Sequence, residues 1–144
     1  MFDIVGKLRT FAEAKGWIFI YGNDQYANYH ATMGDLDKLV LVVDLNGSPV
    51  YSKEGSIEDM VFTGGIMLGQ KREAESETES SLDETMIQKY DRRLKYLTET
   101  LFISLGDFGC ANGYSITQLN ARFDINKFDE SMDFIAATIT LSTQ

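Results

Sequence analysis

Residues whose side chains could carry out acid, base, nucleophilic or metal chemistry are few in this sequence. It contains one histidine, His30, and one cysteine, Cys110. A catalytic triad or a Cys–His pair would need His30 beside an activated nucleophile, and the segment around it, NYHATMG, has no such motif. Zinc sites need clustered Cys and His side chains. The sequence therefore predicts neither a nucleophilic enzyme nor a zinc site.

Carboxylates are numerous, but their spacing carries no catalytic signature. With 22 acidic residues in 144, neighbours such as Asp35 and Asp37 arise by chance and are typical of a solvated surface. The fragment DLNGS at 44–48 resembles the start of a calcium loop, but its glycine comes too early and no bidentate glutamate follows. The pair Gly64-Gly65 lacks the rest of a phosphate-binding loop. We therefore predict no catalytic residues, no metal ligands and no cofactor, and hence no enzyme.

Length, charge and hydropathy set the class of protein. A chain of 144 residues, 44% of them hydrophobic, can bury a core as a single domain, 1–144. The net charge of −9 opposes binding to nucleic acid, although it suits the wall of a channel through which DNA slides without sticking. No segment has the apolar length of a membrane span or a signal peptide. We expect a protein that is made in the cytoplasm and has no membrane partner.

The chain is organised around one long amphipathic helix, predicted from Ser81 to Gly106. Ser81 with Glu84 fits a capping box, and Gly106 stands where a left-handed residue would end the helix. Such a helix has about 24 residues and a length of roughly 36 Å, so it must lie across a broad sheet. Its apolar stripe comprises Leu82, Met86, Tyr90, Leu94, Leu97, Leu101 and Leu105.

The rest of the chain predicts a shorter helix and the strands of that sheet. Residues 2–15 have helical periodicity and stop at Gly16. Asn46–Pro49 predicts a turn, and Gly64-Gly65 predicts a bulge or a close approach of another backbone. The predicted strands are Trp17–Tyr21, Leu39–Leu45 with a short return at Val50–Ser52, Met60–Gly69, Tyr114–Asn126 and Met132–Thr143, with a polar loop at Lys53–Asp59 and a glycine-rich connection at Asp107–Gly113.

This order of elements predicts an α+β fold. We expect a mainly antiparallel sheet of four to six strands, with the N-terminal helix and the long helix packed on one face and a β-hairpin closing the chain. In the last strand, Asp133, Ile135, Ala137, Ile139 and Leu141 alternate with Phe134, Ala136, Thr138 and Thr140.

Several features of this layout predict contacts with other subunits. Strands 17–21 and 39–45 are apolar on both faces, and the helices can cover only one face, so the other face must meet a second layer or a partner. Residues 70–81 form either a flexible acidic loop or an arm that orders against a neighbouring subunit or lines an aqueous channel. The candidate inter-subunit or lumen residues are Glu73, Glu75, Glu77, Glu79, Tyr26, Tyr29 and Phe134.

The ordered segments resemble the tail-completion or tail-terminator proteins of tailed bacteriophages and their neck-ring relatives. The resemblance covers nearly the whole chain: the helix ending at Gly16-Trp17, LVLVVDL, MVFTGGIMLGQK, the acidic excursion, LDETMIQKYDRRLKYLTETLF and the hairpin GYSITQLNARFDINKF…FIAATITLS. It implies a structural virion protein that forms a homo-oligomeric ring of six or twelve copies at the neck or head–tail junction. Its implied partners are the portal or neck proteins and the tail proteins, and DNA passes through the ring without specific binding.

Two other classes remain open at this stage. A stand-alone α+β module would bind a peptide or small molecule in an aromatic pocket formed by Trp17, Tyr21, Tyr26 and Tyr29. A small enzyme would depend on His30 or on acidic residues and would lose activity in a His30→Ala variant.

Overall fold

A computed structural model describes residues 3–22, 38–71, 86–127 and 132–143 of the chain. Within these ranges the chain forms two helices and five strands. They are α1 (Ile4–Ala14), β1 (Ile18–Tyr21), β2 (Val40–Tyr51), β3 (Ile57–Lys71), α2 (Met86–Lys89, Tyr90–Leu94 and Lys95–Asn112), β4 (Ser115–Lys127) and β5 (Met132–Ser142).

Helix α1 begins at a capping aspartate. The carboxylate of Asp3 accepts a hydrogen bond from the backbone N–H of Gly6 at 2.9 Å, which satisfies one of the unpaired donors of the first turn. The buried side of the helix consists of Ile4, Leu8 and Ala12, as the periodicity predicts. This side packs on the sheet beside α2.

The five strands form one mixed sheet in the order β1-β2-β3-β5-β4. Strand β1 pairs with β2 in parallel, and all other neighbours are antiparallel. Both helices pack on the same face, and β4 with β5 is the closing hairpin. The α+β prediction is therefore confirmed.

The predicted turn at Asn46–Pro49 is wrong, because β2 continues without interruption to Tyr51. Asn46 pairs with Thr63 and Pro49 with Met60, and the hairpin turns later, where the N–H of Ser52 donates to the carbonyl of Ser56 at 2.7 Å. Strand β1 pairs only with Val40–Val43. Beyond that point no other described strand pairs with this edge of β2, so the missing N–H of Pro49 costs no hydrogen bond of the described ladder.

At Gly64 and Gly65 the ladder keeps its register, so the structure shows a close approach of backbones and no bulge at this pair. A Cβ atom on Gly64 would collide with the carbonyl oxygen of Asp44 on β2. Register shifts occur elsewhere in the described strands, between Val50 and Tyr51 of β2 and between Asp124 and Lys127 of β4. A third shift lies in β4 between Ile116 and Gln118. It places Ile116, and not Thr117 as the simple alternation predicts, on the helix-facing side.

Helix α2 differs from its prediction at its C-terminal end. It continues past Gly106 to Asn112 and ends at Gly113, which has a left-handed φ of 75°. The predicted stripe is confirmed for the four leucines from Leu94 to Leu105, and Phe108 extends it by one more turn. Because Phe108 is fully buried against Phe11 and Tyr114, packing carries the helix through the glycine. The predicted capping box at Ser81 and Glu84 lies outside the described residues.

The main core lies between the helices and the sheet. Its central members are buried side chains from α1, α2 and the three middle strands. At one end Tyr114 stacks on Phe108, with ring centroids 5.7 Å apart, and meets the edge of Phe62. Burial, together with the negative charge of Asp3, raises the pKa of the Tyr114 phenol.

The opposite face of the sheet is divided into an apolar half and a polar half. The apolar half is a second cluster that is already buried within the chain: Ile20, Val40, Val42, Met67, Phe134 and Ala136. A contact of a partner with this side of the early strands stays a prediction. The polar half is exposed and comprises Asp44, Asn46, Thr63, Thr138, Gln118 and Asn120.

Candidate functional surfaces

Most of the predicted inter-subunit or lumen residues lie outside the described residues. This applies to Tyr26, Tyr29 and the four glutamates Glu73, Glu75, Glu77 and Glu79. Phe134 is described and has no exposed surface; its ring covers Gly69 of β3, where a Cβ atom would collide with it. A contact between Phe134 and another subunit stays a prediction.

The aromatic pocket considered from the sequence is only partly within the described residues. Trp17 packs edge to face on Phe11, with ring centroids 6.3 Å apart, and the amine of Lys15 lies 5.6 Å from the Trp17 ring centre. Tyr21 is about half exposed on the edge strand β1. Trp17 is thus engaged in packing within the chain.

The described part of the chain contains no group of three or more His, Cys, Asp or Glu side chains that could hold a metal ion. His30 lies outside the described residues, and Cys110 is exposed on α2. No helix among the described residues is long and apolar enough to cross a bilayer.

A cluster of polar side chains joins the end of β5 to β3. The carboxylate of Asp59 accepts hydrogen bonds from the hydroxyls of Ser142 and Thr143 and from the N–H of Thr143, at 2.7 to 2.9 Å. Hydrogen bonds to the ionised carboxylate lower the pKa of Asp59. The hydroxyl of Thr143 has the largest effect, followed by that of Ser142. With no imidazole or amine among these contacts to act as a base, the arrangement fastens a strand end.

A buried ion pair joins α2 to β5. Arg93 lies in a π-helical turn, Tyr90–Leu94, and its guanidinium contacts the carboxylate of Asp133. Such turns occur often at functional sites, but both charged groups here are removed from solvent and face each other. The pair therefore positions α2 on the sheet and is not open to a substrate.

The outward side of α2 is apolar at its centre. Tyr96, Phe102 and Ile103 are exposed by 58%, 42% and 65%, and we call these three residues the helix patch. Ile103 lies two turns after Tyr96 on the same line, and Phe102 borders it. Helices with apolar residues on all sides are normally covered on all sides. The residues Phe102 and Ile103 next to the buried Leu101 are the sequence signal for this surface, which the single-stripe interpretation missed.

A second apolar surface lies at the tip of the β2–β3 hairpin. Val50, Tyr51 and Ile57 are exposed by 45%, 61% and 41%, and we call them the hairpin patch. Tyr51 pairs with Ile57 across the hairpin. The predicted turn at Asn46–Pro49 concealed this surface, because it assigned Val50 and Tyr51 to a short returning strand.

Comparison with known proteins adds no family to this description. No protein-family model matches the sequence, and no curated protein is significantly similar to it.

Proposed function

We propose that this chain is a structural virion protein of a tailed bacteriophage, and that copies of it form a homo-oligomeric ring of the tail-completion or tail-terminator type. The ring would lie at the neck or head–tail junction, between the portal or neck proteins and the tail proteins. DNA would pass through its centre, and the protein would have no enzymatic role.

The helix patch carries this proposal. Three large side chains, two of them aromatic, are exposed together on the outward side of the longest helix. Large apolar side chains that are exposed close together mark sites of protein association, since their exposure to water is unfavourable. An assembly of identical copies provides a partner for every patch.

Two further observations support the bacteriophage assignment. The resemblance rests in part on an N-terminal helix, the strands LVLVVDL and MVFTGGIMLGQK, a long helix and a closing hairpin, and the described elements follow one another in this order. The net charge of −9 favours a ring whose wall repels the DNA phosphates, so that DNA slides through without binding.

The first test is the native mass of the purified chain over a wide concentration range, combined with electron microscopy of the concentrated sample. We expect closed rings or stacked tubes of six or twelve copies. A chain that stays monomeric at the highest concentration would contradict self-assembly.

A pair of variants tests the role of the helix patch in that assembly. Ile103→Glu places a charge in the patch, and we expect the apparent dissociation constant to rise roughly 30-fold or more, the effect of losing a central interface residue. Ile87→Glu is the matched control, because Ile87 has the same exposed fraction, 65%, and lies on the first turn of α2, away from the patch. Equal effects of the two substitutions would show that general repulsion, and not the patch, is responsible.

The position in the virion needs a separate test. In a bacteriophage that encodes this chain, deletion of its gene should leave heads and tails that do not join, and adding the purified protein should restore joining. Normal particles from the deletion strain would contradict the proposed location.

A further inference from the structure

The helix patch and the hairpin patch lie at places that one copy of the chain cannot bring together. Helix α2 runs antiparallel to β3: its Arg93 end contacts Asp133, which pairs with Gln70, and its Phe108 end reaches Tyr114 beside Phe62. Ile57 lies about 16 Å farther along the same strand, at ~3.3 Å per residue. Because β2 and β3 are paired along this whole length, the tip extends away from α2 and does not fold back onto it.

The two patches have matching sizes. With ~200 Å² for a full aromatic side chain and somewhat less for an aliphatic one, their six exposed side chains present roughly 600 Å² in total. A specific interface buries at least ~1,000 Å², of which about 56–65% is apolar. The helix patch and the hairpin patch together therefore supply the apolar part of one such interface, whereas either patch alone supplies about half of it.

Charges at the borders of the patches are compatible with this pairing. The exposed Glu99 lies within the helix patch, between Tyr96 and Ile103, and the exposed Lys95 and Asp107 lie at its two ends. The turn of the hairpin holds the exposed Lys53 and Glu54, and the exposed Glu58 follows Ile57. Both surfaces carry charges of both signs, so a contact of hairpin on helix can place each charge beside an opposite one. A contact of two helix patches would leave both hairpin patches in water.

We propose that neighbouring copies of this chain associate head to tail, with the hairpin patch of one copy seated on the helix patch of the next. This inference rests on the proposed function, since it names the surfaces by which the ring assembles. The contact uses two different surfaces, so it is heterologous, and each copy keeps one free patch of each kind for further neighbours. Repetition of such a contact closes into a ring when the rotation per subunit divides a full turn.

A mixing experiment tests the pairing. Ile103→Glu disables the helix patch and Tyr51→Glu disables the hairpin patch; both residues are exposed, and thermal unfolding checks that each variant is folded. Each variant alone should remain monomeric at concentrations where the natural chain forms rings. An equimolar mixture should form a dimer with one copy of each, measured by sedimentation equilibrium, because one intact hairpin meets one intact helix and neither remaining patch is usable.

Cross-linking provides an independent measurement. In a Cys110→Ser background, Lys53→Cys with Glu99→Cys places one thiol at each patch. A short bismaleimide should then link copies of this full-length double variant, and a denaturing gel should show dimers, trimers and larger species. Each single-cysteine variant should remain unlinked, because a head-to-tail contact does not bring two identical positions together. Dimers from the Glu99→Cys variant alone would show that two helix patches meet.

The outcomes separate the inference from the proposed function. If Tyr51→Glu assembles like the natural chain while Ile103→Glu does not, two helix patches meet each other and the inference is overturned. If both variants form normal rings, the surfaces are wrong although the ring stands. If the natural chain itself neither assembles nor forms the ladder, self-assembly fails, and the inference fails with it.

Discussion

The guanidinium Nη1 of Arg93 lies 2.9 Å from Oδ2 of Asp133, and the two side chains are only 6% and 0% exposed. The pair joins the π-helical turn of α2 to the first residues of β5, so two segments that are far apart in sequence are held together by charge. A charge at this depth is stable only while its partner is present.

We predict that Asp133→Ala lowers the free energy of unfolding by about 3–5 kcal/mol, because it leaves Arg93 buried without this carboxylate. Urea unfolding measures the change. Lys95→Ala, at an exposed position two residues after Arg93, is the control and should change stability by less than about 0.5 kcal/mol.

The double variant Arg93→Met with Asp133→Leu distinguishes the ion pair from simple loss of packing. Apolar replacements of similar volume remove both charges, so they should recover most of the stability lost in Asp133→Ala. A double variant as unstable as the single one would show that other contacts of these residues dominate.

A second prediction concerns the close approach of the β3 backbone to the β2 backbone at Gly64. This residue has a φ of 154°, and an added Cβ atom would meet the carbonyl oxygen of Asp44. Gly64→Ala should therefore cost at least about 2 kcal/mol of unfolding free energy, from backbone strain and displacement of the strand. Its neighbour Gly65 has no atom within 4 Å of the added methyl, so Gly65→Ala should stay within about 1 kcal/mol of the natural chain. Chemical denaturation measures the unfolding free energy of both variants. Equal losses in Gly64→Ala and Gly65→Ala would contradict this explanation.

The strands and the long helix could be predicted because their periodicity coincides with burial. Leu94, Leu97, Leu101 and Leu105 recur at helical spacing, and all four are buried. In β5, the side chains from Asp133 to Leu141 alternate between the two faces as expected. These signals extend over many residues, so a single unfavourable residue does not obscure them.

The errors occurred where a local turn signal was weaker than pairing across the fold. The segment Asn46–Pro49 has the composition of a turn, yet β3 offers it a continuous ladder. The outward residues Phe102 and Ile103 depart from the polar pattern expected of a solvent-facing side, and a stripe analysis ignores them. Of the predicted inter-subunit or lumen residues, only Phe134 lies in the described part of the chain. The surfaces proposed for assembly were therefore identified from the structure and not from the sequence.

The third prediction is a dependence of stability on pH through Asp59. Its pKa in the folded chain is below the ordinary value of 3.8, because the Thr143 and Ser142 hydroxyls donate to the ionised carboxylate. A lowered pKa contributes stability that is complete above 3.8 and is lost as the pH falls through the folded value. The stability difference between the natural chain and Asp59→Asn should thus be constant from neutral pH to about pH 5 and shrink below 3.8.

Urea midpoints measured along a pH series provide the test of the Asp59 effect. Glu54→Gln is the control, because Glu54 is exposed in the hairpin turn and its replacement should leave the pH profile unchanged. If the stability difference between the natural chain and Asp59→Asn does not vary with pH, the contribution of Asp59 does not depend on its ionisation.

The fourth prediction contrasts two glycines near the end of α2. The sequence predicts that the helix ends at Gly106, whereas in the structure it ends at Gly113. Gly106 is exposed inside the helix with no atom near an added methyl, so Gly106→Ala should raise the free energy of unfolding by about 0.5–1 kcal/mol. Gly113 ends the helix with a φ of 75°, a conformation that costs an L-residue about 1–2 kcal/mol, so Gly113→Ala should lower it by that amount. Thermal unfolding of the two variants should therefore shift in opposite directions. The reverse order would mean that the helix ends at Gly106 in solution, and that Phe108 does not hold its last turn against Phe11 and Tyr114.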